Sequence, residues 1–226
     1  MKAYYKRASC SALTLVELLV VIMVIVVIGF FLIYSTIRRL HGYSPQTHCI
    51  SNLRQVGTAF RLWADDNDGF YPMHFLGNAN YPGLTPAASW LGRPLDYPDA
   101  STCFKALSNE LGSPKLIVCP SDTRKPLSNY WSLQDSSVSY FVGQDAHQTN
   151  ANMFLAGDRN VLVDGVLVQR GRVLIKTNNT SSWSEAIHNC SGDVTLADGS
   201  VQKFSMAQLH AALQKTGTNV NRLVFP

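Results

Sequence analysis

The chain has 226 residues, 46% hydrophobic, 15% charged and 10% aromatic, with a formal net charge of +4 at pH 7. An ordinary apolar share with a charged share below the roughly 25% of an average soluble domain excludes intrinsic disorder, collagen and a disulfide miniprotein, and a single continuously apolar segment excludes a polytopic membrane protein. Lys2, Lys6 and Arg7 stand at the start and the other cations (Arg54, Arg93, Lys115, Arg170 among them) are scattered, so there is no basic stripe and no nucleic-acid partner is expected.

From Leu13 to Tyr34 the chain reads as 22 residues with one charge, Glu17. A helix of that length spans about 33 Å, enough for a bilayer core. A buried core helix rarely stays apolar on every face for six turns. A cleaved secretory signal has a shorter apolar run ending in small residues, whereas Arg38 follows here. A membrane anchor is the better reading. A carboxylate four residues inside such a helix costs several kcal/mol unless it is paired or neutralised, which marks Glu17 as a functional candidate.

Lys6 and Arg7, followed by Ser11-Ala12-Leu13-Thr14-Leu15-Val16-Glu17 and the apolar run, closely resemble the prepilin signal of type IV pilins and type II secretion pseudopilins. The resemblance implies cleavage by a prepilin peptidase between Ala12 and Leu13, N-methylation of Leu13, and an assembly role for Glu17 as the fifth mature residue. Ala12 stands where Gly is usual and Leu13 where Phe is usual. In that family the new amine of one subunit neutralises the glutamate of a neighbour, two groups costly alone in lipid becoming tolerable as a pair. The implied partners are the peptidase, copies of the chain or other pseudopilins in a filament, and the bacterial inner membrane. The implied organisation is a leader over 1–12, a membrane and filament-core helix over 13–37, and a head over 38–226 exported to periplasm or cell surface. The fold expected is α+β and pilin-like, a long N-terminal helix with a membrane-spanning first half, packed on an antiparallel sheet.

Beyond the anchor, Gly42 and Pro45 interrupt the helix, and Pro45 suggests a bend. Ile50, Leu53, Val56, Phe60 and Trp63 then mark the buried face of a helix from about Thr47 to Asp65. Asp65-Asp66-Asn67-Asp68-Gly69 fails the EF-hand spacing, which would put Ala64 and Phe75 at ligand positions. A solvated helix stop, with Gly69 as breaker and Pro72 beyond it, is preferred; calcium is the minority reading. A helix is expected from about Ser101 to Leu111. Strands are expected at Lys115–Cys119, Val138–Val142, Met153–Ala156, Val161–Val163 and Val166–Ile175, the last two around a turn at Asp164-Gly165. Asp193 to Phe204 reads as a hairpin with Asp198-Gly199 supplying positive φ, and Ser205 to Gln208 as the capping box of a last helix.

Four segments add to the resemblance: Cys49 to Gly57, Ala64 to Pro72, Cys119-Pro-Ser-Asp122, and His188 followed after nine residues by Asp198-Gly199. They look like a bacterial pseudopilin-like subfamily that carries these motifs. As a residue just before the hairpin, His188 reads as structural rather than catalytic. No Gly-x-Ser-x-Gly, His-Glu-x-x-His, Walker or Rossmann motif is present, so no catalytic residue and no cofactor is assigned. Cys10 leaves with the leader. Cys49, Cys103, Cys119 and Cys190 remain in a domain facing an oxidising space, so at least one disulfide is expected, with three pairings open. Zinc is disfavoured for want of a Cys-x-x-Cys pair, and no metal is assigned.

A filament subunit is the leading reading of function, with no enzymatic activity. The alternative is a membrane-tethered ligand-binding module using Tyr81, Trp90 and Tyr97 between Met73 and Leu116. An exported hydrolase rests only on scattered His and Asp residues.

Overall fold

The computed structural model describes residues 15–40, 45–76 and 99–226. Cys10, Ala12, Leu13, Tyr81, Trp90 and Tyr97 lie outside the described residues. The chain divides into two units, 1–43 and 44–226.

The first unit contains α1, Leu15–Leu40. It is apolar on every side rather than along one stripe, and its side chains from Leu15 to Ile28 and Phe30 to Ile33 are exposed. Leu15–Ile33 is long and apolar enough to cross a membrane.

The second unit is α+β. Helix α2, Pro45–Asp65, begins at the proline, where at the first helical position the missing N–H costs nothing. Its buried face comprises Cys49, Leu53, Val56, Gly57, Ala59, Phe60 and Ala64, with Ile50 and Trp63 only half-buried at its edges. The helix ends in a Schellman-type turn: the Gly69 N–H donates to the Ala64 carbonyl at 2.8 Å. The left-handed residue there is Asp68 (φ 54°) as well as Gly69 (φ 81°). Short helices follow at Pro72–Leu76 (α3), Ala100–Ala106 (α4) and Ser108–Leu111 (α5), the expected single helix being broken at Leu107.

Among the described residues nine strands form two antiparallel sheets. They are β1 (Tyr140–Gly143), β2 (Phe154–Asp158), β3 (Val161–Val163), β4 (Val166–Leu167), β5 (Gly171–Lys176), β6 (Ser181–Trp183), β7 (Ser191–Leu196), β8 (Val201–Ser205) and β9 (Val220–Phe225). The large sheet runs β5-β9-β1-β2-β7-β8 and the small one β4-β3-β6. Helix α6, Met206–Gln214, carries the expected Ser205–Gln208 capping box.

Both faces of the large sheet are covered, and alternation decides which residue goes where. Tyr140, Val142, Leu155 and Val224 join Leu53, Val56 and Phe60 of α2 and Phe104 of α4 in one core. Phe141, Phe154, Val194, Leu223 and Phe225 face the other way, with Leu209 and Leu213 of α6 and Trp183 of β6.

The structure departs from several sequence expectations. Lys115–Cys119 is not a strand: Pro114–Ile117 forms a 3₁₀ turn with Pro114 first, and Ile117 and Val118 are buried without joining a sheet. Val166–Ile175 is two strands in different sheets, parted at Val168–Arg170. Strands β6 and β9 were not foreseen, and β9 follows the last helix yet inserts between β5 and β1. At the β7–β8 turn only Gly199 has positive φ (83°). The Gly199 N–H donates to the Leu196 carbonyl at 2.9 Å and the Leu196 N–H to the Ser200 carbonyl at 2.8 Å, a type I turn with a glycine bulge.

Helix α2 meets that hairpin at Gly57. A Cβ there would stand 2.5 Å from Thr195 Oγ1 and 3.5 Å from Gly199 Cα, and Thr195 is fully buried and cannot swing away. Gly57→Val is therefore expected to destabilise the fold by about 1–3 kcal/mol through overpacking. Thr58→Ala, one residue along on the exposed side, should stay within about 0.5 kcal/mol. Denaturant titration of the full chain in detergent compares the two.

Candidate functional site

Segments far apart in the chain converge beneath the N-terminal part of α2. Cys49 from α2 is disulfide-bonded to Cys119, which follows the 3₁₀ turn, with Cα atoms 5.1 Å apart across 70 residues of sequence. The structure thus forms one bridge, Cys49–Cys119, and not two; among the described residues Cys103, buried, and Cys190, half-buried, are free. Tyr140 Oη lies 3.6 Å from Cys49 Sγ.

His188 Nε2 lies 3.3 Å from Cys119 Sγ. It is also 3.6 Å from Asp158 Oδ2 and 3.7 Å from Asp193 Oδ2, with the imidazole and both carboxylates buried. Asp158 closes β2 and Asp193 lies in β7, and the Asp193 N–H donates to Asp158 Oδ2 at 2.8 Å. Among the described residues Asp158 Oδ1 and Asp193 Oδ2 have no hydrogen-bond partner.

The loop that delivers His188 is strained. His188, Asn189 and Cys190 are consecutive left-handed residues, with φ of 56°, 47° and 57°. Such a conformation costs a non-glycine residue roughly 1–2 kcal/mol, and it usually occurs singly. Buried Asn160 holds the loop in place. Its Nδ2 donates to the carbonyls of Ser184 (3.0 Å) and Ile187 (2.9 Å), with Ser191 O at 3.4 Å. Ser191 Oγ donates to the His188 carbonyl at 2.6 Å.

Burial dominates the electrostatics here. It raises Asp158 well above the carboxylate range, pushes Asp193 up to about 6 against the opposing pull of Gln46 and Lys203, and lowers His188 to about 4. At neutral pH the imidazole is therefore uncharged, with a lone pair on one ring nitrogen. At 3.6–3.7 Å the two carboxylates are beyond hydrogen-bond reach of it. Cys49, Cys119, Asp158 and His188 each present a ligand-type atom, all within 4.8 Å of one another. A search for Cys-x-x-Cys could not detect this set, because its members come from four separate segments.

Two neighbouring arrangements hold the site. Asn52 Nδ2 donates to the Val118 carbonyl at 3.1 Å, tying α2 to the segment before Cys119. Asp122, three residues after that cysteine, forms a two-pronged pair with Arg159, Nε–Oδ2 and Nη2–Oδ1 both at 2.8 Å. Sequence reading missed Arg159, which no motif announces. Asp198 and Gly199 lie elsewhere, at the turn of the β7–β8 hairpin. There Tyr71 Oη donates to the Ala197 carbonyl at 2.7 Å and Arg61 Nη1 to the Asp198 carbonyl at 2.9 Å. Asp198–Gly199 is thus a docking point for α2 and its exit, separate from His188. At the end of α2, Asp65 Oδ1 accepts from Gln148 Nε2 at 3.4 Å. Glu17 lies in the first turn of α1.

Compared with protein-family models, curated proteins and solved structures, the chain matches none.

Burial works to raise Asp122, but the hydrogen bonds and charge of Arg159 outweigh it and hold the carboxyl below its usual range. The depressed value means that the stabilisation is present above the unfolded value of about 3.9 and is lost as pH falls through the folded one. Asp122→Asn should cost about 2–3 kcal/mol at pH 7 because Arg159, three-quarters buried, is left unpaired. The difference from the native chain should shrink steadily below pH 4, as measured by denaturant midpoints across that range.

Proposed function

We propose that the chain is a structural subunit of a pilus-like or type II secretion pseudopilus filament, made as a prepilin, cleaved, N-methylated and assembled through α1. The observation that carries this reading is α1 itself. It exposes apolar side chains around its whole circumference, and Glu17 is the one ionisable residue between Leu15 and Tyr34. Such a helix is stable only in lipid or among other apolar helices. Its carboxylate then sets where a neighbour can sit, since a positive charge at one depth relieves the cost of burying it. The prepilin-like sequence from Lys6 to Glu17 supplies that charge when cleavage between Ala12 and Leu13 creates an amine four residues from Glu17. The α+β head, with α2 laid across its sheet, fits the pilin-like plan expected from the same resemblance. The membrane concerned is the bacterial inner membrane, and the head is exported.

Mass spectrometry of the purified protein should find a methylated N-terminus at Leu13; an intact Met1 or a cut elsewhere overturns the proposal. Glu17→Ala should leave cleavage intact and lower incorporation into filaments at least tenfold, scored by sheared-filament fractionation. A native chain that is cleaved but never enters filaments would instead make it a tethered binding module.

A further inference from the structure

We propose that Cys49, Cys119, His188 and Asp158 form a closed, four-ligand site for a divalent zinc-type cation once the Cys49–Cys119 bond is reduced, so that disulfide and metal are alternative fillings of one cluster.

Chemistry and geometry both point this way. Two sulfurs, one imidazole and one carboxylate are a donor set suited to tetrahedral Zn²⁺. With bonds of about 2.3 Å to sulfur and 2.0–2.2 Å to nitrogen and oxygen, a tetrahedral ion holds S and N about 3.6 Å apart and N and O about 3.4 Å apart. His188 Nε2 is 3.3 Å from Cys119 Sγ and 3.6 Å from Asp158 Oδ2, within a few tenths of an ångström of both edges. All four donor atoms fit within 4.8 Å. Cys49, Cys119 and Asp158 are fully buried and the imidazole nearly so, which is the character of a structural site with no open position.

The surroundings supply outer contacts of the kind that orient metal ligands. The Ser121 N–H points at Cys119 Sγ at 3.4 Å, Tyr140 Oη is 3.6 Å from Cys49 Sγ, and the Asp193 N–H fixes Asp158 Oδ2. Independently, Asp158 Oδ1 and Asp193 Oδ2 are buried oxygens without a hydrogen-bond partner among the described residues. Unsatisfied buried acceptors are rare enough to require a reason, and a cation held by Asp158, whose neighbour on the next strand is Asp193, places positive charge beside both carboxyls. Ligation would also repay the left-handed strain that brings His188 to this spot.

The two states exchange by balanced chemistry. A thiolate of a dithiol reductant attacks one cysteine sulfur, the S–S bond breaks, and a mixed disulfide forms. The second thiol of the reductant then attacks that mixed disulfide. The reductant leaves as its own disulfide after giving up two electrons and two protons, and Cys49 and Cys119 remain as thiols. Zn²⁺ binding next displaces both thiol protons and the Asp158 carboxyl proton to solvent as two Zn–S bonds, one Zn–O bond and one Zn–N bond to His188 form, with no change in the oxidation state of the metal. A two-electron oxidant reverses the sequence and expels the ion.

The test uses the full chain in detergent, prepared oxidised and, under anaerobic conditions, reduced until its mass has gained two hydrogens. Each is titrated with Zn²⁺ and, as a spectroscopic probe, Co²⁺. The reduced chain should take up one Zn²⁺ and give the thiolate charge-transfer and tetrahedral bands of cobalt; the oxidised chain should give neither. Asp158→Asn, which keeps both sulfurs, should weaken uptake at least tenfold, and Cys119→Ser should abolish the charge-transfer band. Absence of uptake by the reduced native chain overturns the proposal, as does equal uptake by its oxidised form. The oxidised and reduced native chains need no substitution, so a misfolded variant does not blunt the test.

Discussion

The laying of α2 across the large sheet is the constraint on which the second unit depends. Leu53, Val56 and Phe60 have to reach Tyr140, Val142 and Leu155, and a side chain at position 57 would hold the helix off Thr195 and Gly199. Once that approach is made, both ends of α2 become anchoring points. Its N-terminal half carries Cys49 to Cys119, and Asn52 to the Val118 carbonyl. Its C-terminal half carries Arg61, and beyond it Tyr71, to the turn of the β7–β8 hairpin. A single helix thereby ties together parts of the chain more than 100 residues apart in sequence.

The His188 loop has a different character from the core around it. Packing alone would not ask for three left-handed residues in a row, the last of them a cysteine without the tolerance that histidine and asparagine have for that region. The loop keeps them because Asn160 reaches out from the strand layer and because the imidazole settles against a sulfur and two carboxylates. Polar groups so buried are costly to gather. Fold stability would be served better by apolar residues of similar size, which sets this cluster apart from the aromatic core on the other face of the sheet.

Elements with a strong period or punctuation were legible in sequence. Helix α2 was recognisable from Leu53, Val56 and Phe60, the β3–β4 turn from Asp164-Gly165, and the start of α6 from Ser205 and Gln208. The α+β class followed from these. What escaped notice depended on tertiary context. Leu116, Ile117 and Val118 form an apolar run that a strand and a buried 3₁₀ turn would share equally, and only Pro114 hinted at the latter. Strand β9 does alternate, with Leu223 and Phe225 on one face and Val224 on the other, yet being covered on both sides it shows no polar rhythm. Cys49, Cys119 and His188 were each singled out by motif. Their meeting with Asp158 and Asp193 was beyond any local pattern, because the sheet order β1-β2-β7 sets those two aspartates side by side.

The two outer strands of the large sheet carry a further consequence. Strand β5 bears Arg172 and Lys176, and β8 bears Lys203, so each border of the sheet carries positive charge. Borders of this kind discourage a second molecule from adding its own strand. Two copies of the second unit brought together at high concentration would thus resist fusing edge to edge into a continuous ribbon.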